Sequence, residues 1–306
     1  MGVFAARRLL LALSIVVAAL LFAGPADVAT QGRQLKVFIS VDLEGVTGTI
    51  QPSQLGPTGF EYSRAREWMT GELLAAIEGA RAAGATEIIA ADSHGNAQSL
   101  LIDRLPDDIR VVRGFPRPLG MMEGIDETFQ AAIFIGYHSS EYTVDSVRSH
   151  TFSSARLLGV KINGMEVSEG IFNALLAGHF SVPVAFISGD RAAVEQLQGV
   201  VGQAGGAIVK EGLGYHSALT VTPARGQAMI RAGVEEALGR LPVMTPYRAP
   251  TPIALEVGFK LTLDAEQAAF VPGLERLDAH TVGGEFPNMV VVSRLMRVLT
   301  NMAEPG

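Results

Sequence analysis

The stretch LKVFISVDLEG, Leu35 to Gly45, joins a short β-branched run directly to two carboxylates, Asp42 and Glu44. Leu35 to Val41 reads as a strand. Because side chains alternate along an extended chain, Asp42 and Glu44 project to the same side. Beyond it the chain alternates strand with helix. A helical spacing of apolar residues runs through Trp68, Leu73, Leu74 and Ile77 and closes at Gly84. TEIIAAD (Thr86 to Asp92), IRVVRG (Ile109 to Gly114) and AAIFIGYH (Ala131 to His138) are the next strands expected. This order argues for an α/β chain with a largely parallel sheet flanked by helices. In the middle, Asn163-Gly164 between two apolar runs of Ala155 to Val167 signals an inserted hairpin. A helix is expected from about Glu169, a buried strand over Val182 to Asp190, and a helix over Pro223 to Leu241. After prolines 246, 250 and 252, a strand-like PIALEVGFKL and a helix over 287–302 form a C-terminal α+β segment, a possible subregion spanning 250–306.

Ahead of this lies a different pattern. Arg7 and Arg8 precede an uncharged run from Leu9 to Ala23, followed by the small residues Gly24, Ala26 and Ala29, which is the layout of a secretory signal over residues 1–29. The run is about 15 residues, against about 20 needed to span a bilayer. Cleavage after Ala26 or Ala29 is therefore expected, which predicts a periplasmic or extracellular protein with no stable membrane span. An uncleaved membrane tether is the alternative. A net charge of −7 over 306 residues, with no basic run after the first few, makes nucleic acid an unexpected partner. Cysteine is absent, so disulfides, thiol nucleophiles and thiolate metal sites are excluded, and any transition metal must be held by imidazole and carboxylate.

Rare polar residues gather at the carboxyl ends of the expected strands, the edge where open α/β sheets bind ligands. Asp42 and Glu44 end the first, Asp92-Ser93-His94 the second and Gly136-Tyr137-His138 the fourth. Two neighbouring carboxylates repel each other unless a cation lies between them, although a solvated turn would also accept them. His94 equally reads as a surface imidazole beside a capping aspartate. Glu169 reads as a carboxylate in a first helical turn. Three strand ends carrying such groups favour zinc or its first-row neighbours over calcium or magnesium. His150 lies in SHTF, beyond Glu141 and Asp145. His179, His216 and His280 read as helix-end or surface residues.

Together SVDLEGVTG, ADSHG, MMEGID (Met121 to Asp126), FIGYH, SHTF and SEGIFNALLAGHFSVPVAFISGD (Ser168 to Asp190) resemble the D-aminopeptidase family, DppA-like or M55. The resemblance runs from about Lys36 to the C-terminus, so residues 34–306 are expected to form one metallo-aminopeptidase domain. It implies two zinc ions per chain, held by Asp42, Glu44, His94, His138 and Glu169 with the aspartate bridging, and a catalytic role for His150. It further implies a short peptide as substrate, release of an amino-terminal D-residue such as D-alanine, and a homo-oligomer. A dinuclear-metal phosphoesterase, or a non-catalytic exported metal- or peptide-binding protein, is the competing reading. The former would need a glycine-rich cradle or an arginine pair facing the metals.

Overall fold

In the computed structural model, which describes residues 34–302, five parallel strand pairings build the main sheet. Its strands are β1 (Leu35–Val41), β2 (Ala85–Asp92), β3 (Arg110–Val112), β4 (Ala131–Tyr137), β7 (Val184–Asp190), β8 (Gly205–Gly214) and the antiparallel edge strand β9 (Ser217–Thr220), in the order β3-β2-β1-β4-β7-β8-β9. The segment expected to be a signal, residues 1–29, lies outside the described residues.

Alternation along β1 divides the interior. Val37, Ile39 and Val41 face one core, shared with helices α1 (Tyr62–Ala82) and α4 (Pro223–Gly239). Phe38 faces the other, shared with α2 (Glu169–His179), α3 (Arg191–Val201) and α6 (Met289–Leu299). Both faces of the central strands are buried, which explains their near-continuous apolar runs. Each fully buried Val, Ile or Phe contributes about 1.5–3 kcal/mol.

The expected hairpin is present as β5 (Leu157–Ile162) and β6 (Met165–Glu166), with Asn163 and Gly164 both at positive φ, 50° and 78°, as a type I′ turn requires. It does not stand alone, and the C-terminal segment is not a separate body. β10 (Ile253–Phe259) pairs antiparallel with β5 on one edge and with β12 (Thr281–Phe286) on the other, completing a five-stranded sheet β11-β12-β10-β5-β6 with β11 at Glu275–Arg276. The short helix α5 (Thr262–Ala268) lies in the loop between β10 and β11. Leu255, Val257, Val282 and Phe286 of this sheet belong to the same core as α2 and α6. The smaller sheet shares that core with one face of the main sheet through α2 and α6.

Strand order reverses beside β1: the chain leaves it for β2 and β3 on one side and returns to β4 on the other. A cleft at the carboxyl ends of β1 and β4 is the topological consequence.

Candidate metal centre

Past the end of β1 the backbone stays tied to its neighbour. Asp42 N–H donates to the Ile135 carbonyl (2.8 Å) and Gly45 N–H to the Gly136 carbonyl (2.7 Å). A side chain at Gly45 would meet the Tyr137 carbonyl at 1.9 Å, and one at Gly136, whose φ is +72°, would meet the Asp42 carbonyl at 2.3 Å. These two glycines therefore let the two strand ends close on each other. The alternation holds through the turn, so Leu43 enters the core while Asp42 and Glu44 face a cavity of about 280 Å³.

His94, two residues beyond β2, reaches the same cavity. Glu169 begins α2 as expected, but the capping is done by Ser168, whose hydroxyl accepts from Ile171 N–H (3.3 Å). Freed of that duty, Glu169 turns inward. Its Oε1 accepts from Phe152 N–H at 2.6 Å and lies 3.5 Å from His138 Nε2. His150 arrives on the loop between β4 and β5, its N–H donating to the Ser139 carbonyl (3.1 Å). Its ring stacks on His138 at 4.1 Å and 5° between planes. Arg148 and Phe152 on either side take positive φ, 56° and 61°, a local strain. Asp190, at the end of β7, holds the loop by accepting from Val147 N–H (2.9 Å) and Ser146 Oγ–H (2.7 Å).

The five residues expected to be ligands are brought together and buried, none more than 7% exposed. His94 Nδ1 lies 2.8 Å from Glu44 Oε2 and 3.4 Å from Asp42 Oδ1, while His138 Nε2 lies 3.4 Å from Asp42 Oδ2. Asp42 thus offers one oxygen to each imidazole. Each ring also has its other nitrogen committed. His94 Nε2–H donates to the Leu55 carbonyl (2.7 Å), His138 Nδ1–H to the Ser139 carbonyl (3.0 Å) and His150 Nδ1–H to the Arg148 carbonyl (2.7 Å). A carbonyl only accepts, so the tautomers are fixed and the remaining nitrogens point their lone pairs at carboxylates. Asp92, two residues from His94, takes no part in orienting the ring. Its carboxylate accepts from Leu100 N–H (2.7 Å) instead.

Lone pairs aimed at carboxylates require protons or cations between them. The electrostatics of the cluster make the same demand. Burial and then the neighbouring Glu44 push Asp42 up to about 7. Against the burial that would raise it, His94 holds Glu44 well below the usual carboxylate range, and His138 likewise lowers Glu169. Against the burial that would lower it, His94 is raised well above its ordinary value by Glu44, and His138 to about 10 by Glu169. His150 moves the other way, lowered by burial and then by the adjacent His138. Asp42 Oδ2 and His138 Nε2 are buried without a hydrogen-bond partner. Candidate donor atoms of Asp42, Glu44 and His138, and of His138, His150 and Glu169, lie within 4.8 Å of one another. Nitrogen and oxygen donors without sulfur, with orphaned buried atoms between them, fit a transition dication, and the two sets share His138. The distances admit His150 as a donor as well.

His179 and His216 are exposed at a helix end and a hairpin turn, and His280 lies before β12, all away from the cluster. Three residues near the site carried no sequence signal as functional. Arg297 of α6 lines the cavity with Phe115 and Phe152. Lys210 of β8, fully buried, donates its ammonium hydrogens to the carbonyls of Glu44, Val46 (3.0 Å) and Thr49. Glu72 of α1, also buried, accepts from Thr47 N–H (2.8 Å), so the loop after Asp42 and Glu44 is gripped from both sides.

The family model described as D-aminopeptidase, peptidase M55, matches residues 35–298. The D-aminopeptidase of Bacillus subtilis (strain 168) is 29% identical over 273 residues, covering 88% of this chain and 98% of that protein. Among solved structures, the Zn-dependent D-aminopeptidase DppA from Bacillus subtilis, described as a self-compartmentalizing protease, is similar with a TM-score of 0.84 and 29% identity, covering 88% of this chain and 97% of that one.

Proposed function

The chain belongs to the M55 family of D-aminopeptidases, and from that premise we propose that it releases an amino-terminal D-residue with a small side chain, such as D-alanine, from short peptides, and that Asp42, Glu44, His94, His138 and Glu169 would hold two zinc ions. The observation that carries this reading is the shared use of Asp42. Its two oxygens face His94 and His138 separately, and each of those imidazoles is locked by a backbone carbonyl so that its free nitrogen points inward.

Bound there, zinc supplies Lewis acidity, polarising the scissile carbonyl and acidifying water towards a pKa of about 7. The protein's own groups supply the rest. His150, kept neutral by burial and by its stacked neighbour, presents Nε2 to the cavity as a proton acceptor. It takes a proton from the attacking water and returns it to the departing amine, a role worth about 10²- to 10⁴-fold in rate. Glu169 fixes the loop that carries His150 through Phe152 N–H. The carboxylates favour an ammonium group, which suits substrates entering by the amino end.

A cavity of about 280 Å³ walled by Met121, Phe115 and Phe152 suits a small apolar side chain. A second arginine facing the cluster, as a phosphoesterase would need, is not among the residues lining this cavity. The segment from Arg7 to Ala29 supports export, with the mature chain starting after Ala26 or Ala29. The self-compartmentalizing relative, together with exposed apolar side chains such as Phe60, Val144 and Phe270, supports a homo-oligomer.

The test is hydrolysis of paired D-Ala and L-Ala peptides by zinc-loaded protein. A D over L preference of at least about tenfold, or about 1.4 kcal/mol, is expected. Equal or faster release of L-alanine overturns the stereochemical assignment, and release of neither overturns the activity.

A further inference from the structure

The cavity over the carboxylates adjoins a second of about 360 Å³, and Gly95, Phe115, Phe152, Ser153 and Arg297 wall both. Arg297 is the cationic side chain at this junction. Its guanidinium lies 5.0 Å from the Phe152 ring centre and 5.8 Å from that of Phe115. The backbone of Gly120 also lies close, since a side chain there would come within 3.4 Å of Arg297 Cζ. Aromatic faces hold a guanidinium without using its N–H groups. Among the described residues no carboxylate pairs with it, no side-chain hydrogen bond engages it, and its Nε is buried without a partner.

Packing alone does not explain this arrangement. A methionine or lysine stem would fill the same space, whereas leaving the guanidinium Nε–H buried and unpaired carries a desolvation cost. The site calls for an acceptor that arrives with the ligand. A guanidinium fork matches a carboxylate in two-point geometry, which a lone carbonyl cannot reproduce. If the 280 Å³ cavity is compact it is about 8 Å across, and two extended residues span about 7 Å at 3.3–3.6 Å each. A dipeptide whose amino end lies at the Asp42–Glu169 cluster therefore brings its own terminus to the junction where Arg297 sits.

Building on the aminopeptidase reading above, we propose that Arg297 is a specificity-determining residue that pairs with the free α-carboxylate of a dipeptide substrate. A longer peptide, continuing into the second cavity, offers Arg297 a carbonyl in place of that carboxylate. Selectivity for dipeptides follows from charge as well as from space.

The experiment compares D-Ala-D-Ala with D-Ala-D-Ala amide on zinc-loaded wild type, R297M and R297K. Wild type should favour the free acid by at least about 30-fold in kcat/KM, with the difference residing in KM. R297M should bring the acid-to-amide ratio to within about threefold, and R297K should fall between, because it keeps the charge and loses the fork. A wild-type ratio below about threefold overturns the proposal while leaving the aminopeptidase reading intact, as does an R297M enzyme that keeps the wild-type ratio. Should R297M fail to fold, the wild-type ratio and R297K decide alone. If the wild type cleaves neither these nor any other D- or L-aminoacyl peptide, the aminopeptidase reading falls and this inference with it.

Discussion

Replacing Lys210 by methionine tests whether the loop after Asp42 and Glu44 is held from behind. The ammonium donates to three carbonyls, those of Glu44, Val46 and Thr49. Each carbonyl left unpaired in the interior costs about 1–3 kcal/mol, or about 3–9 kcal/mol for the three. Against this stands the cost of the buried charge itself. Burial pushes the Lys210 ammonium from 10.5 down to about 8, and at about 1.4 kcal/mol per unit methionine recovers about 3 kcal/mol. The net expectation for K210M is a loss of about 3 kcal/mol, seen as a fall of about 5–10 °C in the midpoint of thermal unfolding of metal-stripped protein at pH 7 and matched concentration. Because Glu44 carries both a gripped carbonyl and a carboxylate proposed to hold zinc, zinc affinity measured against a chromophoric chelator should fall about 10- to 100-fold. A midpoint within 2 °C of wild type, with unchanged zinc affinity, would refute the reasoning; those marks are set at about the resolution of the assays.

Asp42→Ala should reduce zinc from about two equivalents per chain to below one, since both imidazole sets lose an oxygen, and should cost more than the about 10- to 100-fold in affinity that losing a residue hydrogen-bonded to a ligand costs; elemental analysis showing two retained equivalents contradicts the bridge. His150→Ala should keep its zinc and lose at least about 10²-fold in turnover, whereas metal lost in step with activity makes His150 a ligand. Glu72→Gln carries a pH signature. Burial, only partly offset by the hydrogen bonds from Thr47, raises Glu72 from 4.5 to about 7, so the folded protein keeps a proton there that the unfolded chain has released. Stability from this group falls as pH rises from about 4.5 to about 7, by up to about 3 kcal/mol, and the variant should gain on wild type through that window; urea-unfolding curves that stay parallel between pH 5 and 8 exclude it.

The site was legible where chemistry coincides with strand ends. Asp42, Glu44, His94 and His138 stand out because buried β-branched runs stop at polar residues, and a parallel sheet brings those stops to one edge. Glu169 was harder to read, because a first-turn carboxylate has an ordinary use that Ser168 takes over in the folded chain. The β8 and β9 hairpin escaped notice because Gly205, Gly206, Gly212 and Gly214 dilute its strand signal. At Gly206 a side chain would strike Val194 at 2.5 Å, and at Gly212 the Asp145 carbonyl at 2.3 Å, so close packing removed the residues that would have announced the strand. Lys210 lies within it and was missed for the same reason. Gly45 and Gly136 have a packing reason that sequence does not show, since neighbouring backbone occupies the space a side chain would need. Arg297 reads as an ordinary charge on an amphipathic helix, and only tertiary structure aims it at the cavity.

The cavity draws its parts from both ends of the described chain, from Asp42 just after β1 to Arg297 in the last helix. The β5–β6 hairpin also waits on distant sequence, because Asn163 and Ala254 exchange hydrogen bonds across 91 positions. A ribosome therefore releases the carboxylates long before the wall opposite them exists. Chains cut short before Arg297 contain every residue expected to hold metal but lack the arginine that walls the cavity beside them.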